Sequence, residues 1–213
     1  MIKVTSDNEN VQKFLDYVHS QLRKNKFKLI LHMDNLKIGK NYVSGYFSED
    51  TKEIVISIKE ENWLEILVHE FNHFVQFINN EEKYVLLNQG ESNFLIELWE
   101  WLDGDIELNT KRKNLLFKTV QEMELDCERK SVEMIKKFDL PIDIEEYTSI
   151  ANIYIFYYTY AKKNRCWFSE NSTIKDIMTE GNLQNLSLDC DFTKLPEEYV
   201  KHFKNSSKKL LDK

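Results

Sequence analysis

The stretch from Lys52 to Ile78 changes its hydrophobic period partway along, and that change restricts the possible folds more than any other part of this 213-residue chain. In KEIVISI (52–58) side chains alternate with a period of two, as a strand requires. From Trp63 the period becomes 3.6: Trp63, Leu67, Phe71, Phe74 and Ile78 form one stripe, which predicts a helix over 60–79. A strand feeding directly into an amphipathic helix needs a sheet for the first and a shared core for both.

The flanking sequence supplies both. FKLILHM (27–33) and YVSGYF (42–47) are further strand candidates, separated by polar turns containing Gly39 and Asp50, and with 52–58 they predict a small antiparallel sheet. Ahead of them Ser6-Asp7-Asn8-Glu9 has the S-x-x-E form of a capping box. Val11, Phe14, Leu15, Val18 and Leu22 follow at helical spacing, predicting a helix over 8–24. Downstream the pattern is helical: 92–102, 109–138 (ended before Pro141), 143–163, 172–179 and a short helix from Pro196, with loops at Gly90 and Gly104. The expected class is α+β, mainly helical. One domain over 1–205 is expected, with a frayed tail over 206–213, because no Ser/Pro/Gly-rich linker and no repeat divides the chain.

Composition narrows the function classes. Apolar residues at 42%, charged residues at 31% and only 5 Gly and 2 Pro describe an ordered chain. A net charge of −7 leaves no electrostatic footprint for nucleic acid or an anionic membrane. The longest uncharged run, Tyr147 to Ala161, is shorter than the roughly 20 apolar residues that span a bilayer, and it reads as a buried helix. Cys127, Cys166 and Cys190 are odd in number and scattered, so neither a disulfide framework nor a cysteine zinc site is expected. Reduced thiols and an N-terminus without an apolar signal region predict a cytoplasmic protein.

Inside the helix over 60–79 stands His69-Glu70-Phe71-Asn72-His73, an H-E-x-x-H. Residues four apart lie on one helix face with Cβ atoms about 5–6 Å apart, so two imidazoles there can hold one metal ion. Glu70 points beside such an ion, where its carboxylate can take a proton from an activated water. His69, His73 and Gln76 lie at the flank of the apolar stripe, half covered by core. The plainer reading is a pair of packed or surface histidines.

A catalytic zinc needs three protein ligands. No His follows within ten residues of His73, which excludes the metzincin pattern and leaves a carboxylate. On the helix over 109–138, Glu122 and Asp126 form E-x-x-x-D on one face, so Glu122 can bind metal while Asp126 accepts the outer N–H of a ligand histidine. Arg129 is placed to neutralise Asp126, while Glu124 and Glu128 project from other sides of the helix and are expected in solvent, with Glu124 as the reserve ligand. The competing reading is an ordinary charged helix face.

HEFNHFVQF followed by E-x-x-x-D resembles the zincin metallopeptidases, in the gluzincin arrangement of two helix histidines and a downstream helical Glu. With Pro141 it is also loosely similar to the ImmA/IrrE-type peptidase domain, over residues 50 to 141. That resemblance implies a zincin-like fold in which His69, His73 and Glu122 hold Zn2+ and Glu70 is the general base for cleaving a peptide or protein substrate. In zincins the strand before the active helix borders the cleft and pairs with an extended peptide, a place KEIVISI occupies here. It is a candidate substrate rail unless it lies inside the sheet.

Tyr147, Ala151, Tyr154 and Tyr158 share a face of the helix over 143–163. Core packing is their default role, with Tyr154 and Tyr158 as candidate oxyanion stabilisers. Trp99, Trp101, Trp167 and Phe168 are assigned to packing. A protein of a different class, a catalytically silent zincin-like regulator that holds a partner in its cleft, remains the alternative, and a metal-free helical interaction module is the third.

Overall fold

The computed structural model describes residues 8–38, 41–59, 61–88, 93–168 and 187–208. The fold is α+β and mainly helical, and the chain divides into two compact units. The first comprises Met1–Glu81 with Arg129–Ile144, the second Glu82–Glu128 with Glu145–Lys213. No helix among the described residues is long and apolar enough to cross a membrane.

The first unit begins with α1 (Glu9–Lys24), whose buried residues Val11, Phe14, Leu15, Val18 and Leu22 are those of the expected stripe. Its N-cap is Asn8, whose side chain accepts from the amides of Asn10 and Val11. Ser6, from which a capping box was expected, lies outside the described residues. Strands β1 (Lys28–His32), β2 (Leu36–Ile38), β3 (Asn41–Val43), β4 (Gly45–Ser48) and β5 (Glu53–Ser57) follow. The segment 42–47 thus divides between two strands, β3 in a hairpin with β2 and β4 in the main sheet.

That sheet has the order β1-β5-β4. β5 pairs parallel to β1, with Leu29 opposite Ile54, and antiparallel to β4, with Gly45 opposite Ile56. The sheet is mixed where an antiparallel one was expected, because alternation reports which face a residue occupies and not which strand lies beside it. β5 is also central. Ile54, Val55, Ile56 and Ser57 are all buried, so KEIVISI is an interior strand and not an edge rail.

Helix α2 (Trp63–Ile78) packs on this sheet. One aromatic group, Phe27, Phe47, Phe74 and Phe77, joins it to β4 and to the start of β1, with Phe27 and Phe74 at 5.2 Å between ring centroids. A second group joins it to α1: Phe71 meets Phe14 and Tyr17 edge-on, and both of those rings also meet Phe138. Close approach of α2 to β4 depends on Gly45. A Cβ there would lie 2.7 Å from Ile66 Cγ2 and 2.8 Å from Ile56 Cδ1, inside van der Waals contact.

The second unit holds α3 (Glu82–Val85), a 3-10 turn (Leu86–Asn88), α4 (Phe94–Asp103), most of α5 (Thr110–Phe138) and nearly all of α6 (Ile144–Asn164). It ends with β6 (Trp167–Phe168), α7 (Glu197–Ser206) and β7 (Ser207–Lys208). Asn93 caps α4, and Gly104 closes it at φ 87°. Gln121 ties α5 to α6 through Ile155 O at 2.9 Å and Thr159 Oγ1 at 3.0 Å. Arg165 lies over the Trp101 ring and donates to Trp101 O and Ile106 O, fixing the loop after α4. The assigned tryptophans do pack: Trp99 meets Trp167 at 5.0 Å, and Trp101 meets Phe117 at 5.5 Å.

The expected helix over 172–179 lies outside the described residues. Of the tail over 206–213, residues 206–208 are described: Ser206 closes α7, and Ser207–Lys208 pair antiparallel with β6. Tyr157 holds this end by stacking on Phe168 at 3.6 Å and by a hydrogen bond to Ser207 Oγ.

Candidate functional site

Helix α2 carries the first half of the expected site. Its apolar residues Leu64, Leu67, Val68, Phe71 and Phe74 are buried, and its polar flank is buried with them: Asn72, His73 and Gln76 are 1%, 8% and 0% exposed. Polar side chains so covered need hydrogen-bond partners. Asn72 Nδ2 donates to Val68 O and to Ser131 Oγ, on the part of α5 that belongs to the same unit. His73 Nδ1 lies 2.9 Å from Gln76 Oε1.

His69 and His73 sit one turn apart with ring centroids 4.6 Å apart and planes at 89°, and their Nε2 atoms approach to 3.0 Å. With metal–nitrogen bonds of about 2.0–2.1 Å, two nitrogens at that separation subtend about 95° at a common ion. The pair therefore fits a zinc-sized cation as two adjacent ligands, and without a cation one ring donates to the other. Glu70, between them in sequence, is half-buried and makes no hydrogen bond or ion pair among the described residues. Among the described residues its carboxylate is therefore open to accept a proton.

The second unit carries the expected acids. Glu122 faces solvent: its carboxylate lies 3.8 Å from Lys118 Nζ, with side chains 46% and 70% exposed. Asp126 lies 3.9 Å from Lys83 Nζ. Glu124, the reserve ligand, and Glu128 were expected in solvent but are both buried at 6%, because their side of α5 is covered, and Cys127 between them has no exposed surface. Spacings of three and four residues place Glu124, Cys127 and Glu128 on one covered face of α5.

The tyrosines of α6 meet that face. Tyr147 donates to Glu128 Oε2 at 2.6 Å, and the Tyr154 and Tyr158 hydroxyls lie 2.8 Å apart. Burial pushes the Tyr158 phenol well above its ordinary range, with the Tyr154 hydroxyl and the Glu124 and Glu128 carboxylates adding to the effect. Tyr158 therefore stays protonated, and either hydroxyl of the Tyr154–Tyr158 pair can donate to the other. These aromatics pack as expected, and Tyr154 is the half-buried member.

Two features escaped the sequence reading. The Gln76 contact is signalled by its i,i+3 spacing from His73, whereas the burial of Glu124 relative to Glu122 depends on which side of α5 is covered. Compared with family models, curated proteins and solved structures, the chain matches none.

Proposed function

We propose that the chain is a zinc-dependent metallopeptidase. The observation that carries this reading is the convergence of His69 Nε2 and His73 Nε2 on α2, with the uncommitted carboxylate of Glu70 between them in sequence. A zinc ion held there supplies a Lewis acid that polarises a carbonyl and acidifies water. The chain's own residues do the rest. Glu70 takes the proton of the attacking water and returns it to the departing amide nitrogen, and Tyr158 or Tyr154 is the candidate donor to the oxyanion.

The third ligand is assigned to α5. Glu122 is the residue implied by resemblance and lies at the surface beside Lys118, and Glu124, the reserve, is buried. Zinc affinity after Glu124→Gln and after Glu122→Gln separates the two. Extended substrate is assigned to an edge of the sheet, β1 or β4, because β5 has a neighbour on each side.

The deciding experiment is paired metal analysis and peptide hydrolysis. Glu70→Gln is expected to keep one zinc per chain and to lose hydrolysis by at least about 100-fold, the scale of a lost general base. His69→Ala and His73→Ala should lose metal and activity together. A fully active Glu70→Gln ends the mechanism, and a wild-type protein that binds zinc yet cleaves no unfolded or peptide substrate turns the reading to a binding protein.

A further inference from the structure

His69 and His73 are alike in chemistry and differ in what holds their rings. Gln76 Oε1 is 2.9 Å from His73 Nδ1, and Gln76 has no exposed surface. A carbonyl oxygen only accepts hydrogen bonds, so this contact requires the His73 proton on Nδ1. In the neutral ring His73 Nε2 is then the acceptor, 3.0 Å from His69 Nε2, and the hydrogen bond between those nitrogens takes its proton from the His69 side.

We infer that Gln76 is a positioning residue that presets the tautomer of His73, so that one imidazole of the pair stands ready to bind a cation while the other must first move its proton from Nε2 to Nδ1. Rings that bind metal are commonly oriented by a carboxylate or a main-chain carbonyl. Here a neutral amide does it from the next turn of the same helix, at i+3. Orientation is therefore a local property of α2, made without adding negative charge beside the cation. A cation at this place keeps more of its own charge than it would beside a carboxylate.

The consequence for zinc rests on the peptidase reading above, whereas the tautomer belongs to the metal-free chain, and the test separates them. Long-range 1H–15N correlation spectra of the full metal-free chain at about pH 8, above the ordinary imidazole range, report which nitrogen carries each proton. His73 is expected as Nδ1–H and His69 as Nε2–H. Gln76→Leu should abolish the single His73 tautomer and weaken Zn2+ and Co2+ binding by about 10–100-fold. Gln76→Glu, which keeps an acceptor in place, should restore the tautomer and the binding. A wild-type His73 carrying its proton on Nε2 overturns the inference, as does a Gln76→Leu protein with tautomer and affinity unchanged. Failure of the wild type to take up zinc sinks the peptidase reading and leaves the tautomer result standing.

Discussion

Tyr158 is enclosed in the second unit, where loss of water is the first cause of its raised phenol and the Tyr154 hydroxyl with two covered carboxylates the next. Tyr157 is raised chiefly by burial, and Tyr199 is pushed up to about 12 by burial and by Glu198. A phenol with a raised folded value binds its proton more tightly folded than unfolded. Its stabilising contribution is thus fully present below the unfolded value near 10.0 and is lost as pH rises past it towards the folded one. Ultraviolet titration of tyrosinate should therefore show these three rings silent at pH 10–11 and ionising together with unfolding. Independent ionisation of all ten tyrosines near pH 10 would contradict the burial. At this scale the site was legible where it is local: His69, Glu70 and His73 sit on one helix, and helix spacing alone places their side chains on neighbouring turns. The covered acids were not legible: Glu124 and Glu128 were expected in solvent and are buried, because on a 29-residue helix only packing decides which face is covered.

Elements in this chain begin in familiar ways and end expensively. Asn8 and Asn93 cap α1 and α4 through their side chains, but with only 5 glycines the chain closes several helices on other residues. Lys26, Asn80, Asp139 and Arg165 follow α1, α2, α5 and α6 at φ between 49° and 64°. A left-handed residue with a Cβ costs about 1–2 kcal/mol, and although the Lys26 amide donates to Arg23 O, its exposed side chain makes no hydrogen bond, ion pair or ring contact among the described residues. Lys26→Gly should raise stability by about 1 kcal/mol, read as a higher midpoint of denaturation at unchanged slope. Gly45→Ala should do the opposite, losing about 1–3 kcal/mol as its methyl meets Ile66 and Ile56, and Gly45→Val should lose more. Element boundaries were legible to within a few residues wherever the period was strong, as in α2 and α5. The order β1-β5-β4 was not, since a strand's neighbours are chosen by long-range pairing and leave no trace in its own alternation.

For the whole molecule, neither unit is a continuous stretch of chain. The path leaves the first unit after Glu81, returns at Arg129 inside α5, and leaves again after Ile144. The first unit takes Ile135 and Leu140 into its buried set, and Phe138 into contact with Phe14 and Tyr17, from beyond its first crossing. Each such side chain is worth about 1.5–3 kcal/mol, so three of them together match the lower end of a domain's stability, about 5 kcal/mol. A fragment of residues 1–81 is therefore expected to melt without a cooperative transition by circular dichroism. A sharp two-state melt would show that the returning segment is dispensable. Within the first unit α5 runs unbroken from Arg129 to Phe138, so removing one residue between Ser131 and Phe138 would turn one against the other by about 100° and draw them together by about 1.5 Å. Asn72 and Phe14 could then no longer meet Ser131 and Phe138 at once. Evolution can lengthen the loops of such a protein one codon at a time, but along this stretch of α5 any insertion or deletion must come in near-whole turns.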